Sequence, residues 1–118
     1  MHDYAVISLS DLMTPWDLIQ KRARLAAEGD FVIALYNPKS RERASYLDQI
    51  RDIVMQFRKP ETPVGIVRKA GRPGMNYTLT TLKDLPSQPV DMQSTVIIGN
   101  SQTYVEDGRM ITPRGYRL

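Results

Sequence analysis

The sequence predicts one α/β domain built on a mixed, mostly parallel sheet with an antiparallel edge. Three observations carry that prediction. Segments of strand length, at 31–35, 64–67 and 94–100, alternate with segments of helical periodicity. The run at 31–35 is apolar on both faces, as a strand covered on both sides is. The chain then closes on Asp107-Gly108, a strong signal for a two-residue hairpin turn. With 118 residues there is room for one domain around one core.

Each element has a local reason. "YAVISL" at 4–9 reads as a strand. A helix follows, with Thr14 as cap, Pro15 at the first helical position and Asp17 placed to complete a capping box. Ile19, Ala23 and Ala26 recur at helical spacing, and Gly29 offers a left-handed residue to end the helix. "FVIAL" at 31–35 is the second strand and Tyr36-Asn37-Pro38 stops it. A second helix opens at Pro38 or Ser40, with an apolar stripe of Ala44, Leu47, Ile50, Val54 and Phe57. Pro60 and Pro63 end it. "VGIV" at 64–67 is a short buried strand, and "RKAGRPG" is a turn. "MNYTL" at 75–79 is a strand by its Tyr and Thr content, "TTLKDLP" is one helical turn, and "STVIIGN" at 94–100 is a further strand.

Composition narrows the function. The chain is 42% hydrophobic and 25% charged, ordinary for a globular domain. No apolar run approaches the ~20 residues that cross a bilayer, and the first residues lack the pattern of a signal peptide. With no cysteine, disulfides and thiolate metal sites are excluded. The single histidine, His2, removes any Ser-His-Asp set, and no carboxylate cluster suggests a metal. Walker A and G-x-G-x-x-G patterns are absent. A net charge of +3 and a pI near 9.3 admit anionic partners, but the cations fall in small groups rather than a nucleic-acid-binding stripe. The strand ends at Tyr36-Asn37, Lys69-Ala70-Gly71 and Gly99-Asn100 form a plausible ligand edge, since open α/β sheets bind ligands there. Turn chemistry alone would also favour Asn and Gly at these places.

"FVIALYNPKS", "ETPVGIVRKAGRPG", "STVIIGNSQTY" and the closing "MITPRGY" resemble, in order, the C-terminal half of the precorrin-3B C17-methyltransferases, tetrapyrrole methylases of cobalamin biosynthesis. The opening "HDYAVISLSDLMTPWDLI" resembles the segment where the first domain of those enzymes hands over to the second. The resemblance implies a three-layer second domain on a sheet of about five strands. It divides the chain into 1–14, the end of the first domain, and 15–118, the C-terminal domain. It further implies S-adenosylmethionine as methyl donor, held between two domains, of which the first is missing here.

By the same resemblance Tyr36, Asn37, Ala70, Gly71, Ser94 and Thr95 face the donor, while Lys39, Arg41, Arg68 and Lys69 face a tetrapyrrole rich in carboxylates. Cations at a helix N-terminus cost ~0.3–1 kcal/mol each, so Lys39, Arg41 and Arg43 there would be relieved by a bound polyanion. No catalytic residue is identified and no metal is expected. The expected reaction is methylation of precorrin-3B at C17 with ring contraction to precorrin-4, by a cytoplasmic homodimer that binds neither nucleic acid nor membrane. The chain alone is expected to be inactive. The alternative is a non-catalytic binding or dimerisation module that keeps the fold. Strand 4–9, with its neighbours in the missing domain, is expected to pair with another copy, detach or be disordered.

Overall fold

A computed structural model describes residues 3–10, 13–36, 46–68, 76–91 and 93–113. Strand β1 is Tyr4–Ser8, helix α1 Trp16–Glu28, β2 Val32–Tyr36, helix α2 Tyr46–Val54, β3 Pro63–Arg68 and β4 Asn76–Thr81. A short 3-10 turn at Leu85–Ser87 leads to β5, Ser94–Ile98, and a hairpin of β6, Tyr104–Glu106, and β7, Arg109–Ile111.

The first five strands form one mixed sheet in the order β1-β2-β5-β3-β4. This corrects the expectation of a mostly parallel sheet. Only β1 and β2 run parallel, while β2–β5, β5–β3 and β3–β4 are antiparallel. The cause is β5. It inserts between β2 and β3 in the reverse direction, so the one element that joins the two halves of the sheet opposes both neighbours. A second correction concerns β1. It is paired along its whole length with β2, from Tyr4 against Val32 to Ser8 against Tyr36, so it is neither detached nor disordered. Its other edge carries no strand among the described residues.

Alternation along the strands divides the sheet into two faces. Ile7, Ile33, Leu35, Val64, Ile66, Val96 and Ile98 point to the helices and form one core with Ile19, Ala23, Leu47, Ile50 and Val54. Each fully buried aliphatic side chain of this kind stabilises the fold by about 1.5–3 kcal/mol. Trp16 on α1 stacks on Tyr46 of α2 with ring centroids 3.7 Å apart, and its indole N–H donates to Gln49 Oε1 at 3.0 Å. That contact pins the start of one helix to the start of the other. The third layer, on the opposite face, is the β6–β7 hairpin. Its turn residues Asp107 (φ 53°) and Gly108 (φ 72°) are both left-handed, the conformation a two-residue hairpin turn needs. Gly65 on β3 lets this layer close in. A Cβ there would lie 2.8 Å from the Tyr77 ring and 3.1 Å from Met110 Sδ.

The ends of α1 differ from expectation. Pro15, not Thr14, is the cap residue, and no side chain caps the helix. Gly29 is not left-handed (φ −79°); Asp30 is (φ 62°). Phe31 N–H donates to Ala26 O and Asp30 N–H to Ala27 O, the paired bonds of a Schellman motif built around an aspartate. Aspartate tolerates that conformation better than most residues, and its carboxylate gains a use there: it accepts from Ser101 N at 2.9 Å and from Ser101 Oγ at 2.5 Å. In α2, Leu47, Ile50 and Val54 are buried as the stripe predicts, but Phe57 is 40% exposed. Arg58 goes inside in its stead, 7% exposed. Its guanidinium donates to the carbonyls of Gly99 (2.7 Å), Ala26 (3.3 Å), Ala27 (3.5 Å) and Phe31. Burial lowers its pKa and Asp30 opposes that shift. The cation thus sits against the C-terminal carbonyls of α1, where the helix dipole favours it.

Candidate functional site

The pairing registers place one end of the sheet in detail. Ser8 lies opposite Tyr36, Tyr36 opposite Thr95, Thr95 opposite Val67 and Val67 opposite Tyr77. One transverse row therefore crosses all five strands, on the face away from the helices. Because β5 is antiparallel to β2 and β3, its first residues meet their last ones. Three of the segments singled out in the sequence thus converge: the end of β2, the end of β3 and the start of β5. In the chain, residues 37–45 follow β2 and residues 69–75 follow β3.

Tyr36 is 42% exposed and Thr95 is half-buried beside it. An exposed ring next to a hydroxyl can pack on a flat heterocycle and hydrogen-bond to it. That pair fits a nucleoside-like ligand. Asn37, Lys39, Arg41, Arg43, Lys69, Ala70 and Gly71 lie outside the described residues.

Ser94 and Arg68 behave differently from expectation. Successive residues on β5 point to opposite faces, so Ser94 faces the helices while Thr95 faces away. Ser94 is 2% exposed, and its hydroxyl both donates to Asp91 Oδ1 (3.1 Å) and accepts from Asp91 N–H (3.1 Å). Arg68, the last residue of β3, donates through Nη2 to Asp91 Oδ2 at 2.8 Å. Asp91 Oδ1 also accepts from Gln93 N–H at 2.9 Å. Partial burial pushes the Asp91 carboxyl up, but the bonds from Arg68, Gln93 and Ser94, with the Arg68 charge, outweigh it and leave its pKa below the ordinary value. Sequence reasoning missed Asp91. The available signal was its position three residues before Ser94, the spacing at which an Asp and a Ser exchange side-chain-to-backbone bonds in a turn.

A cleft of ≈ 320 Å³ lies at the opposite end of the sheet, lined by Lys59, Thr62, Pro63, Asn100, Ser101 and Thr103 among others. Its Asn100, Ser101 and Thr103 are engaged within the chain. Asn100 donates to Asp30 O and accepts from Gln102 N–H, Ser101 bonds Asp30, and Thr103 Oγ1 accepts from Asn100 N–H and bonds Thr112. With Arg58 occupied by carbonyls as well, this end is built as a structural clasp. Among the described residues no group of His, Cys, Asp or Glu could hold a metal, and no helix is long and apolar enough to cross a membrane.

Residues 2–86 match the family model of the Tetrapyrrole (Corrin/Porphyrin) Methylases. The chain is 54% identical over 118 residues to the probable cobalt-factor III C(17)-methyltransferase of Salmonella typhimurium, covering 100% of this chain and 49% of that protein. It is 48% identical over 117 residues to the cobalt-factor III methyltransferase of Priestia megaterium, covering 99% of this chain and 22% of that protein. The crystal structure of the methyltransferase CobJ superposes with a TM-score of 0.87 at 32% identity, over 95% of this chain and 47% of that one. A uroporphyrin-III C-methyl transferase of Thermus thermophilus, solved with S-adenyl homocysteine, shares the fold at a TM-score of 0.60 and 16% identity, over 83% of this chain and 42% of that one. The chain spans about half the length, or less, of these relatives.

Proposed function

The chain belongs to the tetrapyrrole methylase family, and from that premise we propose that it supplies one wall of the donor cleft in an S-adenosylmethionine-dependent C17-methyltransferase of cobalamin biosynthesis. The observation that carries the proposal is the transverse row. The ends of β2 and β3 and the start of β5 meet at one edge, and Asn37, Ala70 and Gly71 come directly after those two strand ends in the sequence. The names of the relatives favour a cobalt-bearing substrate, cobalt-factor III, over the metal-free precorrin-3B expected from the sequence. The cobalt is part of the substrate, not a resident of the protein.

A methyl group on a sulfonium is already activated. The work left to this chain is to orient the donor and keep water out, and orientation alone can supply ~7–11 kcal/mol of a barrier. Tyr36 offers a ring for the donor to pack on, Thr95 a hydroxyl, and residues 69–75 a backbone free of large side chains at Ala70-Gly71. The other wall comes from a second domain, whose length is implied by relatives at least twice as long. The hand-over at residues 1–14 belongs to this proposal, as do substrate contacts by Lys39, Arg41, Arg68 and Lys69. A homodimer in the cytoplasm is proposed with it; the open outer edge of β1 and the exposed Tyr4 and Val6 support the dimer.

The test is reconstitution. The chain is combined with the remaining domain, and C17 methylation of cobalt-factor III is followed by mass spectrometry. Neither part alone is expected to turn over. Ala70→Leu in the assembly is expected to weaken donor binding at least ~10-fold, about 1.4 kcal/mol, by overpacking the contact. Turnover by the chain alone, or unchanged affinity with Ala70→Leu, contradicts the proposal.

A further inference from the structure

We propose that Asp91 is a positioning residue of the donor edge: by holding Arg68 at the end of β3 and Ser94 at the start of β5, it fixes those two strand ends against each other and so sets where Thr95 stands. The inference rests on the donor-edge reading and names a residue that the reading does not contain.

The argument is geometric. Three donors converge on one carboxylate: Arg68 Nη2 on Oδ2 at 2.8 Å, and Gln93 N–H at 2.9 Å and Ser94 Oγ at 3.1 Å on Oδ1. Two of them belong to the turn that starts β5, and the third belongs to the residue that precedes 69–75 in the chain. Arg68 and Ser94 are themselves register partners across β3 and β5. The carboxylate therefore ties the end of β3 to the start of β5. Backbone pairing fixes the register of β3 and β5, but it weakens at strand ends, where no further ladder follows. A carboxylate that takes Arg68 on one oxygen and Gln93 and Ser94 on the other is the means of holding such an end, because bonds to ionised groups are about twice as strong as neutral ones. Arg68 then meets the substrate already held by Asp91, not as an unpaired cation.

The test uses the full-length two-domain protein, with S-adenosylhomocysteine as the calorimetric probe. Asp91→Asn keeps the size of the side chain and removes its charge. It is expected to raise the probe Kd and the KM for the donor by about five- to tenfold, while kcat stays within about threefold. Arg68→Gln should reproduce that split from the other side of the pair, and it decides the matter if Asp91→Asn does not fold. A merely structural role predicts a lower melting temperature with unchanged Kd and KM; that result, or Kd within about twofold for both variants, overturns the proposal. Thr95→Leu separates the two layers of the argument. If it weakens the probe while the Asp91 and Arg68 variants do not, the positioning role alone is wrong. If none of the three changes the probe Kd, the donor edge itself is wrong, and the positioning role falls with it.

Discussion

Replacing Arg58 by Met should be the most damaging single change at the clasp end of the sheet. The guanidinium donates to four carbonyls, but Ala26 O and Ala27 O also accept from Phe31 N–H and Asp30 N–H. The bonds to Gly99 O and Phe31 O remain as the main loss. At ~1.5–3 kcal/mol for each bond from a charged donor, the two amount to ~3–6 kcal/mol. Met fills much of the volume of the stem and removes the cost of burying a cation, several kcal/mol in a protein interior. The net expectation is a destabilisation of about 2–4 kcal/mol, within the range that broken buried networks give. At ~4 °C per kcal/mol for a chain of this size, the melting temperature falls by about 8–16 °C. Arg58→Lys should fall between, since one ammonium cannot span carbonyls that a planar fork reaches together. The assay is urea and thermal unfolding of the chain followed by circular dichroism. A loss under about 1 kcal/mol for Arg58→Met would refute the clasp reasoning.

Further outcomes are expected elsewhere. Gly99→Ala would place a Cβ 2.6 Å from Thr103 Cβ, displacing the hydroxyl that accepts from Asn100 N–H, and should cost about 1–3 kcal/mol in urea unfolding. The Asp91 pKa is lowered in the fold, so its contribution to stability is present above the ordinary aspartate range and is lost as pH falls through the depressed value; Asp91→Asn should flatten that acid limb of the stability curve. Burial raises the Tyr77 pKa, with a bond to the Met110 backbone opposing it, so stability is full below pH 10.0 and is lost as pH rises through the raised value. Tyr77→Phe should remove that alkaline loss, and an unchanged alkaline limb would place its origin elsewhere.

Most of the fold was legible because its signals are local. The helical stripe of Leu47, Ile50 and Val54, the apolar strands and the Asp-Gly turn each carry their own pattern over a few residues. The direction of β5 was not legible, since pairing with β2 and β3 is a long-range choice that an apolar run does not encode. Arg58 was missed for a similar reason. A cation beside the end of an apolar stripe reads as solvated, and only the approach of α1, Phe31 and Gly99 makes a cage for it. The candidate site divides the same way. The ends of β2 and β3 were readable as an edge, but Gly99-Asn100, expected beside them, lies at the opposite end because β5 runs antiparallel, and the start of β5 brings Thr95 beside Tyr36 instead. That Ser94 turns inward onto Asp91 follows from strand alternation together with which face the helices cover, and the second fact is tertiary.

The central claim is that the donor sits at the edge where β2 and β3 end, with the far end of the sheet a structural clasp. Amide chemical shifts of this chain, isotope-labelled within the full-length protein and titrated with S-adenosylhomocysteine, test it most directly. The account predicts saturable shifts at Tyr36, Thr95 and residues 69–75, and none around Lys59, Asn100 and Ser101. Shifts confined to the Lys59–Asn100 cleft, or none anywhere in the chain, would contradict it.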